Sequence, residues 1–270
     1  MNPFSLMHRG IDALHHLPGI HHVHRARFRQ QFLHDPFARL FDGVYPTFEA
    51  ALQAVPRDAN SSYDNRESIE RYVHRLDVEE YDYQPLFWLS ESFREGLRAI
   101  ADVGGSIGMK YYAFSRYTRF PADVSWLVVD VPAAVTRGRE LALEHNVSSH
   151  LTFSESAGDA DGCDVLLCLG SLQFLPVTLG ELVQSFRRRP RRIIVNTTPI
   201  HESRTFFTLH SMGTGICPYR VVARAAFVDD MSRLGYSVRH EWRNHDKDMR
   251  LPFHQGYDVE HFSGFCFEKV

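Results

Sequence analysis

The chain has 270 residues, 44% hydrophobic and 13% aromatic, which is enough apolar material for a substantial core and excludes a disordered polypeptide. Its 30 basic and 33 acidic residues leave a net charge of -3 and are spread along the chain, so it lacks the electrostatic footprint of a nucleic-acid binder. No apolar run approaches the roughly 18 residues needed to cross a bilayer, and His8, Arg9, Asp12, His15 and His16 interrupt the N-terminal segment, which argues against a secretory leader.

In chain order, the first 40 residues are rich in histidine and arginine. Ile11, Leu14, Leu17, Ile20 and Val23 recur at helical spacing, and Pro18-Gly19 is expected to split this segment into two short helices. His15, His16, His21, His22 and His24 cluster there. Adjacent histidines point to different faces of a helix and no acidic or cysteine partner recurs at ligand spacing, so a solvated or substrate-facing helix is expected and no metal site is assigned. Metal or anionic-surface binding is the lesser alternative.

Residues 41–98 read as helices joined by polar turns, with Thr47 capping a helix through Leu52 and Asn65 or Ser68 capping one that runs past Tyr72 to Leu76. This segment is dense in tyrosine (Tyr45, Tyr63, Tyr72, Tyr81, Tyr83), as expected either of cap helices packed on a core or of a lid lining a substrate pocket. Residues 1–95 are accordingly expected to form an N-terminal helical cap, and residues 96–270 an α/β domain.

From residue 97 onward strand and helix patterns alternate. Strands are expected at 99–103, 125–130, 151–153, 164–169 and 192–196, with helices between them. A helix at 225–234 stops at Gly235-Tyr236. Residues 237–242 and 262–267 then read as a hairpin with a long polar insertion, 244–258. Cys163, Cys168, Cys217 and Cys266 contain no C-x-x-C pair and two of them sit in an apolar strand pattern, so free thiols in a reduced, cytoplasmic protein are expected.

The chemistry concentrates at two strand ends. Asp102-Val103-Gly104-Gly105-Ser106-Ile107-Gly108 follows a buried strand and opens a helix, a turn in which glycines let the backbone approach a ligand closely. A dinucleotide fingerprint would place its first glycine at Val103, so the oxidoreductase template is broken. The template D-x-G-x-G-x-G, with its acid placed for the amino group of the methionine part of S-adenosylmethionine, fits Asp102, Gly104 and Gly108. Ser106 replaces its middle glycine and Gly105 partly compensates. Asp130 ends the next apolar strand, about twenty residues on, where a carboxylate can accept both ribose hydroxyls; Val131 follows it, and capping of the helix from Pro132 is a compatible role. After the strand at 164–169, Leu169, Gly170 and Ser171 reach the carboxyl edge and are expected to flank the methyl group, while Glu155 and Ser156 are placed near the adenine.

Together with Phe41-Asp42-Gly43-Val44-Tyr45, Gly170-Ser171-Leu172-Gln173-Phe174-Leu175, Cys217-Pro218-Tyr219-Arg220 and Leu234-Gly235-Tyr236, these motifs give a chain that resembles a bacterial family of class I S-adenosylmethionine-dependent methyltransferases. That family is marked by F-x-G-x-Y and D-x-G-G-S-x-G stretches, and the likeness spans residues 41–242. The resemblance implies an α/β, Rossmann-like class I methyltransferase fold with a seven-stranded, mostly parallel sheet whose last strand is antiparallel. It implies S-adenosylmethionine as cofactor and methyl transfer to oxygen or nitrogen of a small or carrier-linked biosynthetic intermediate. His201, His210, Tyr45 and Tyr219 are the candidates for proton handling and acceptor placement, and Tyr111 is expected to line the cofactor pocket. A catalytically silent fold serving as a binding subunit is the alternative that Ser106 keeps open. An NAD-dependent oxidoreductase is disfavoured by Val103 and by the lack of a Tyr-x-x-x-Lys pair after the fourth strand.

Overall fold

Apolar strands buried on both faces pair into a sheet whose strand order decides where a ligand can sit. The computed structural model of the protein describes residues 20–270 apart from 38, 58, 63, 74 and 75. The chain runs through α1 (Ile20–His34), β1 (Leu40–Tyr45), α2 (Phe48–Gln53), α3 (Arg66–Val73), a 3-10 turn (Glu80–Asp82) and α4 (Tyr83–Arg94). It then alternates β2 (Ala99–Val103), α5 (Met109–Ser115), β3 (Ser125–Val129), α6 (Pro132–Glu144), β4 (Leu151–Ser154), β5 (Val165–Leu169), α7 (Leu179–Ser185) and β6 (Arg192–Thr198). After β7 (Ile200–His201), β8 (Phe206–Ser211) and β9 (Ile216–Ala223) it closes with α8 (Arg224–Arg233), β10 (Tyr236–Asn244) and β11 (Phe262–Lys269).

The main sheet has seven strands in the order β10-β11-β6-β5-β2-β3-β4. The pairings among β6, β5, β2, β3 and β4 are parallel, and β11 lies antiparallel to both β6 and β10. Period-two alternation divides each strand between two cores. Val165 and Leu167 join Trp126, Phe114 and Leu89 on the face covered by α4, α5 and α6, whereas Leu166 and Cys168 join Val183, Phe227 and Met231 under α7 and α8. The chain moves outward from β2 through β3 to β4 and returns to β5 on the other side of β2. The carboxyl ends of β2 and β5 therefore flank the point where the strand order reverses, which is where open α/β sheets bind ligands.

A second, four-stranded sheet in the order β1-β8-β9-β7 corrects the expected helical reading at residues 41–45, while the rest of residues 41–98 carries helices as expected. β1 pairs with β8 across most of the chain, Phe41 opposite His210, and β8 and β9 form a hairpin. The two faces of this sheet bury different partners. Phe41, Tyr219 and Val221 meet Met249, Leu251 and Val259 of the insertion between β10 and β11, while Phe207 and Leu209 meet Phe32 of α1 and Ala51 of α2. The expected break at Pro18-Gly19, with His8, His15 and His16, lies outside the described residues; α1 runs unbroken from Ile20 to His34.

Thr47 and Asn65 cap helices as expected, through bonds to the Ala50 N–H (3.1 Å) and the Ser68 N–H (2.8 Å). Asn196, fully buried near the end of β6, ties three segments together. Its amide nitrogen donates to the Tyr81 carbonyl (2.8 Å), and its oxygen accepts from the Trp242 indole and the Asn244 amide (2.9 Å each). Asn196→Ala leaves two donors and an acceptor buried without partners. It is expected to cost about 2–4 kcal/mol, read as a lower urea midpoint with unchanged slope.

Candidate functional site

The turn after β2 is held in a left-handed path. Gly104 has φ +78, Ser106 φ +54 and Gly108 φ +85, and the Gly104 N–H donates to the Val129 carbonyl (2.8 Å) at the end of the neighbouring strand. Two close approaches demand glycine. A Cβ on Gly104 would stand 2.1 Å from the Ser171 Cβ, and one on Gly105 would stand 2.5 Å from Oδ2 of Asp102. Ser106 is the departure from the glycine template, and it adopts the conformation a glycine would take. The turn is thus intact.

Asp130 fastens that turn. Its Oδ2 accepts from the Ser106 N–H (2.7 Å) and its Oδ1 from the Val131 N–H (2.7 Å), so each oxygen keeps a lone pair for a further donor. Burial raises the Asp130 pKa, the two amide bonds oppose that rise, and the Asp64 carboxylate adds to it. Asp102 is in a different position. It is 1% exposed, its Oδ2 has no hydrogen-bond partner, and burial pushes its pKa up to about 7, with Lys110 pulling down and Asp130 pushing up. A buried carboxylate that ionises only near neutrality, with Oδ2 unused, retains room for one further donor.

The edge of β5 completes the cleft. Gly170 turns with φ +96, and the Ser171 hydroxyl donates to the Val103 carbonyl (2.5 Å), drawing the loop after β5 against the turn after β2. Leu169 pairs with Asn196 and is half-buried beside them. Val131 caps α6 and is half-buried, and Glu155 and Ser156 stand exposed just beyond β4. The Asp130 N–H bonds to the Ser154 carbonyl (3.1 Å), which brings that rim beside the Asp130 carboxylate. Asp102, Gly104, Gly105, Ser106, Gly108, Asp130, Val131, Leu169, Gly170, Ser171, Glu155 and Ser156 therefore gather along one edge of the sheet.

Tyr111 does not join them. It packs edge-on against Trp126 (5.7 Å) and Phe120 (5.4 Å), within the core that α5 turns toward the sheet. The four candidates for proton handling also separate. Both ring nitrogens of His201 are engaged: Nδ1 accepts from the Ser203 and Arg204 N–H groups (3.1 Å each), which leaves Nε2 to donate to the Gly256 carbonyl (3.1 Å). No lone pair remains for a base, and the ring clips the insertion to the second sheet. Tyr45 packs with Phe32 and Phe207 on the face away from Tyr219, because a bulge at Gly43 (φ +79) shifts the register between Asp42 and Tyr45.

His210 and Tyr219 do meet, inside an aromatic cluster. His210 stacks on Phe41 (4.5 Å, 14°) and approaches Tyr219 (5.1 Å) and Phe174 (6.0 Å). Its Nδ1 is buried without a partner, as is Oε1 of Gln173. Gln173 and Phe174 lie two and three residues beyond Ser171, so this cluster adjoins the cleft. Burial, reinforced by Arg39, pushes the His210 pKa down to about 3, and burial pushes the Tyr219 phenol far above its ordinary value.

Sequence reasoning missed three residues here. Asp64 accepts from the Ala133 N–H (2.8 Å) in the first turn of α6, beside Asp130. Asp82 and Lys110 form a buried ion pair (2.6 Å) near the turn. Only Lys110, two positions past Gly108, carried a positional signal. Among the described residues no three of His, Cys, Asp and Glu come together as a metal site, and no helix is long and apolar enough to cross a membrane.

No protein-family model matches the chain, and no curated protein matches it. Among solved structures it is similar to a candidate sarcosine dimethylglycine methyltransferase from Galdieria sulphuraria, at 12% identity and TM-score 0.50 over 75% of this chain and 98% of that one. It is also similar to magnesium protoporphyrin IX methyltransferase from Synechocystis PCC 6803 with bound S-adenosylmethionine (13% identity, TM-score 0.49, 77% of this chain and 94% of that one). A third is 1,6-didemethyltoxoflavin-N1-methyltransferase from Burkholderia thailandensis, with bound 1,6-didemethyltoxoflavin and S-adenosylhomocysteine (16% identity, TM-score 0.46, 76% and 87%). At such identities the likeness is one of architecture, and with the strand order it gives the chain the Rossmann-like fold of class I methyltransferases.

His210 is expected to remain neutral throughout the physiological range. Its imidazole resonances should show no titration between pH 5 and 8 by NMR, and a midpoint near the ordinary histidine value would contradict its burial.

Proposed function

We propose that the protein transfers a methyl group from S-adenosylmethionine to oxygen or nitrogen of a small or carrier-linked biosynthetic intermediate in the cytoplasm. The observation that carries this reading is Asp130, which fastens the glycine turn with one N–H bond on each oxygen and retains lone pairs on both. The residues present fit the cofactor. Those lone pairs suit the two ribose hydroxyls, the unused Oδ2 of Asp102 suits an ammonium, and the Gly104-Gly105 surface admits no side chain. Val131, Glu155 and Ser156 stand where an adenine would lie, and Leu169, Gly170 and Ser171 where the sulfonium end would lie.

Bound S-adenosylmethionine supplies a methyl group on an already activated leaving group, so the chain's part is alignment and exclusion of water. Phe41, Phe174 and Tyr219 form an apolar wall beside Ser171, within which His210 presents an unpartnered Nδ1. A neutral imidazole there accepts a hydrogen bond from the acceptor and orients it. Its conjugate acid is too acidic for strong base catalysis near neutrality, and the acceptor hydroxyl or amine is best served by orientation. His201 holds the β10–β11 insertion in place through its three backbone bonds. Tyr45 supports the opposite face of the second sheet.

Two measurements test this reading. Asp130→Ala is expected to weaken S-adenosylhomocysteine binding by about a hundredfold or more in calorimetry, the loss of two hydrogen bonds to a charged group, and unchanged affinity would refute the assignment. Because Asp102 must be ionised to hold an ammonium, affinity should be greatest above about pH 7 and fall as pH drops through that value. The loss should approach tenfold per pH unit, roughly, and Asp102→Asn should flatten the profile. A flat wild-type profile between pH 5.5 and 8 would remove Asp102 from the site.

A further inference from the structure

The ladder of β6 is interrupted at its carboxyl end. Ser263 of β11 lies opposite Thr198 and Phe265 opposite Val195, so Asn196 and Thr197 together oppose the single residue Gly264. Such a β-bulge re-aims a side chain where a regular strand would not send it. Asn196 turns inward to its bonds with Tyr81, Trp242 and Asn244. Thr197 takes the left-handed region at φ +46, which a β-branched side chain adopts only under strain.

Glycine would take that conformation freely, so the threonine side chain calls for a reason of its own. Thr197 is the one residue of 192–200 that is not buried. Its carbonyl accepts from the Gln173 amide (3.4 Å), while its hydroxyl makes no hydrogen bond among the described residues. That hydroxyl stands at the cleft, since a Cβ on Gly170 would lie 2.8 Å from Thr197 Oγ1. Thr197 thus meets Gly170 with its hydroxyl and, through its carbonyl, meets Gln173 at the foot of the aromatic wall that Phe174 and Tyr219 build. A strained residue holds an unspent donor and two acceptor lone pairs where the methyl group and its acceptor would meet.

We propose that Thr197 positions the methyl acceptor: its hydroxyl takes the hydrogen of the attacking O–H or N–H beside Gly170 and turns the acceptor's lone pair toward the methyl group. This inference rests on the cofactor reading above. The lone pair forms the new bond to the methyl carbon, the carbon–sulfur bond leaves its electron pair on sulfur, and the acceptor's proton passes to solvent water. Thr197 stays neutral throughout, so its part is alignment.

The test needs no knowledge of the acceptor. It compares S-adenosylhomocysteine with sinefungin, in which a carbon bearing an amine replaces the sulfur and its methyl group, so that an N–H donor stands at the methyl position. Calorimetry is run on the full chain, on Thr197→Val, Thr197→Ser and Thr197→Gly. The valine and glycine variants should bind sinefungin about tenfold or more weaker and S-adenosylhomocysteine within about twofold of wild type, as expected for one lost hydrogen bond to a charged group. Thr197→Ser, which keeps the hydroxyl, should restore sinefungin affinity. Thr197→Gly relieves the strain, so its urea midpoint should rise above that of wild type even as sinefungin binding falls. Unchanged sinefungin affinity in Thr197→Val overturns the proposal alone, as does a wild type that binds S-adenosylhomocysteine and not sinefungin. An equal loss of both ligands, or a lower urea midpoint in Thr197→Gly, marks a structural role and overturns it too. If wild type binds neither compound, the cofactor reading itself falls and takes this proposal with it.

Discussion

The bond from the Ser106 amide to the Asp130 carboxylate is the constraint on which the candidate site depends. A left-handed residue in mid-turn is unfavourable for any side chain but glycine, and the carboxylate of the neighbouring strand holds Ser106 in that state. The chain can then reverse tightly enough for Gly105 to lie on the Asp102 carboxylate and for Gly104 to meet Ser171. That bond joins the ends of β2 and β3, and the Ser171 hydroxyl on the Val103 carbonyl adds the end of β5 to the same edge.

The two strand-end carboxylates divide the work through their surroundings. Asp130 is stabilised by two amide donors and keeps acceptor capacity, which suits neutral hydroxyls. Asp102 is stripped of solvent and of partners on one oxygen, which suits a cation and couples binding to protonation. The second sheet brings a different environment to the same edge. Its aromatic wall, continuing from Phe174 through Tyr219 to Phe41, buries the His210 ring and the Tyr219 phenol among apolar faces, a setting that favours exclusion of water over acid–base chemistry.

The central strands of the main sheet were legible because burial on both faces leaves continuous apolar runs, such as Val165 to Leu169 and Ile193 to Val195. The second sheet was not. β1 carries Asp42 and Gly43 at a bulge, β9 carries Pro218, and β1 finds its partner, Leu209 opposite Asp42, far along the chain, so no local pattern announces the pairing. The same non-locality explains the site. Asp102, Asp130 and the glycines followed from strand ends and spacing, whereas Asp82 and Asp64 enter only through tertiary contacts to Lys110 and Ala133. His201 and His210 were equivalent in the sequence and are opposite in the fold, one with both nitrogens bonded to backbone and the other with a buried nitrogen unpartnered.

The most direct test of the account is a crystal structure of the protein soaked in S-adenosylhomocysteine. The account predicts density along the edge formed by residues 102–108 and 169–171, with the ribose hydroxyls on the two oxygens of Asp130. A clear map at saturating ligand in which that edge is empty, or in which the ligand lies elsewhere on the molecule, would contradict it.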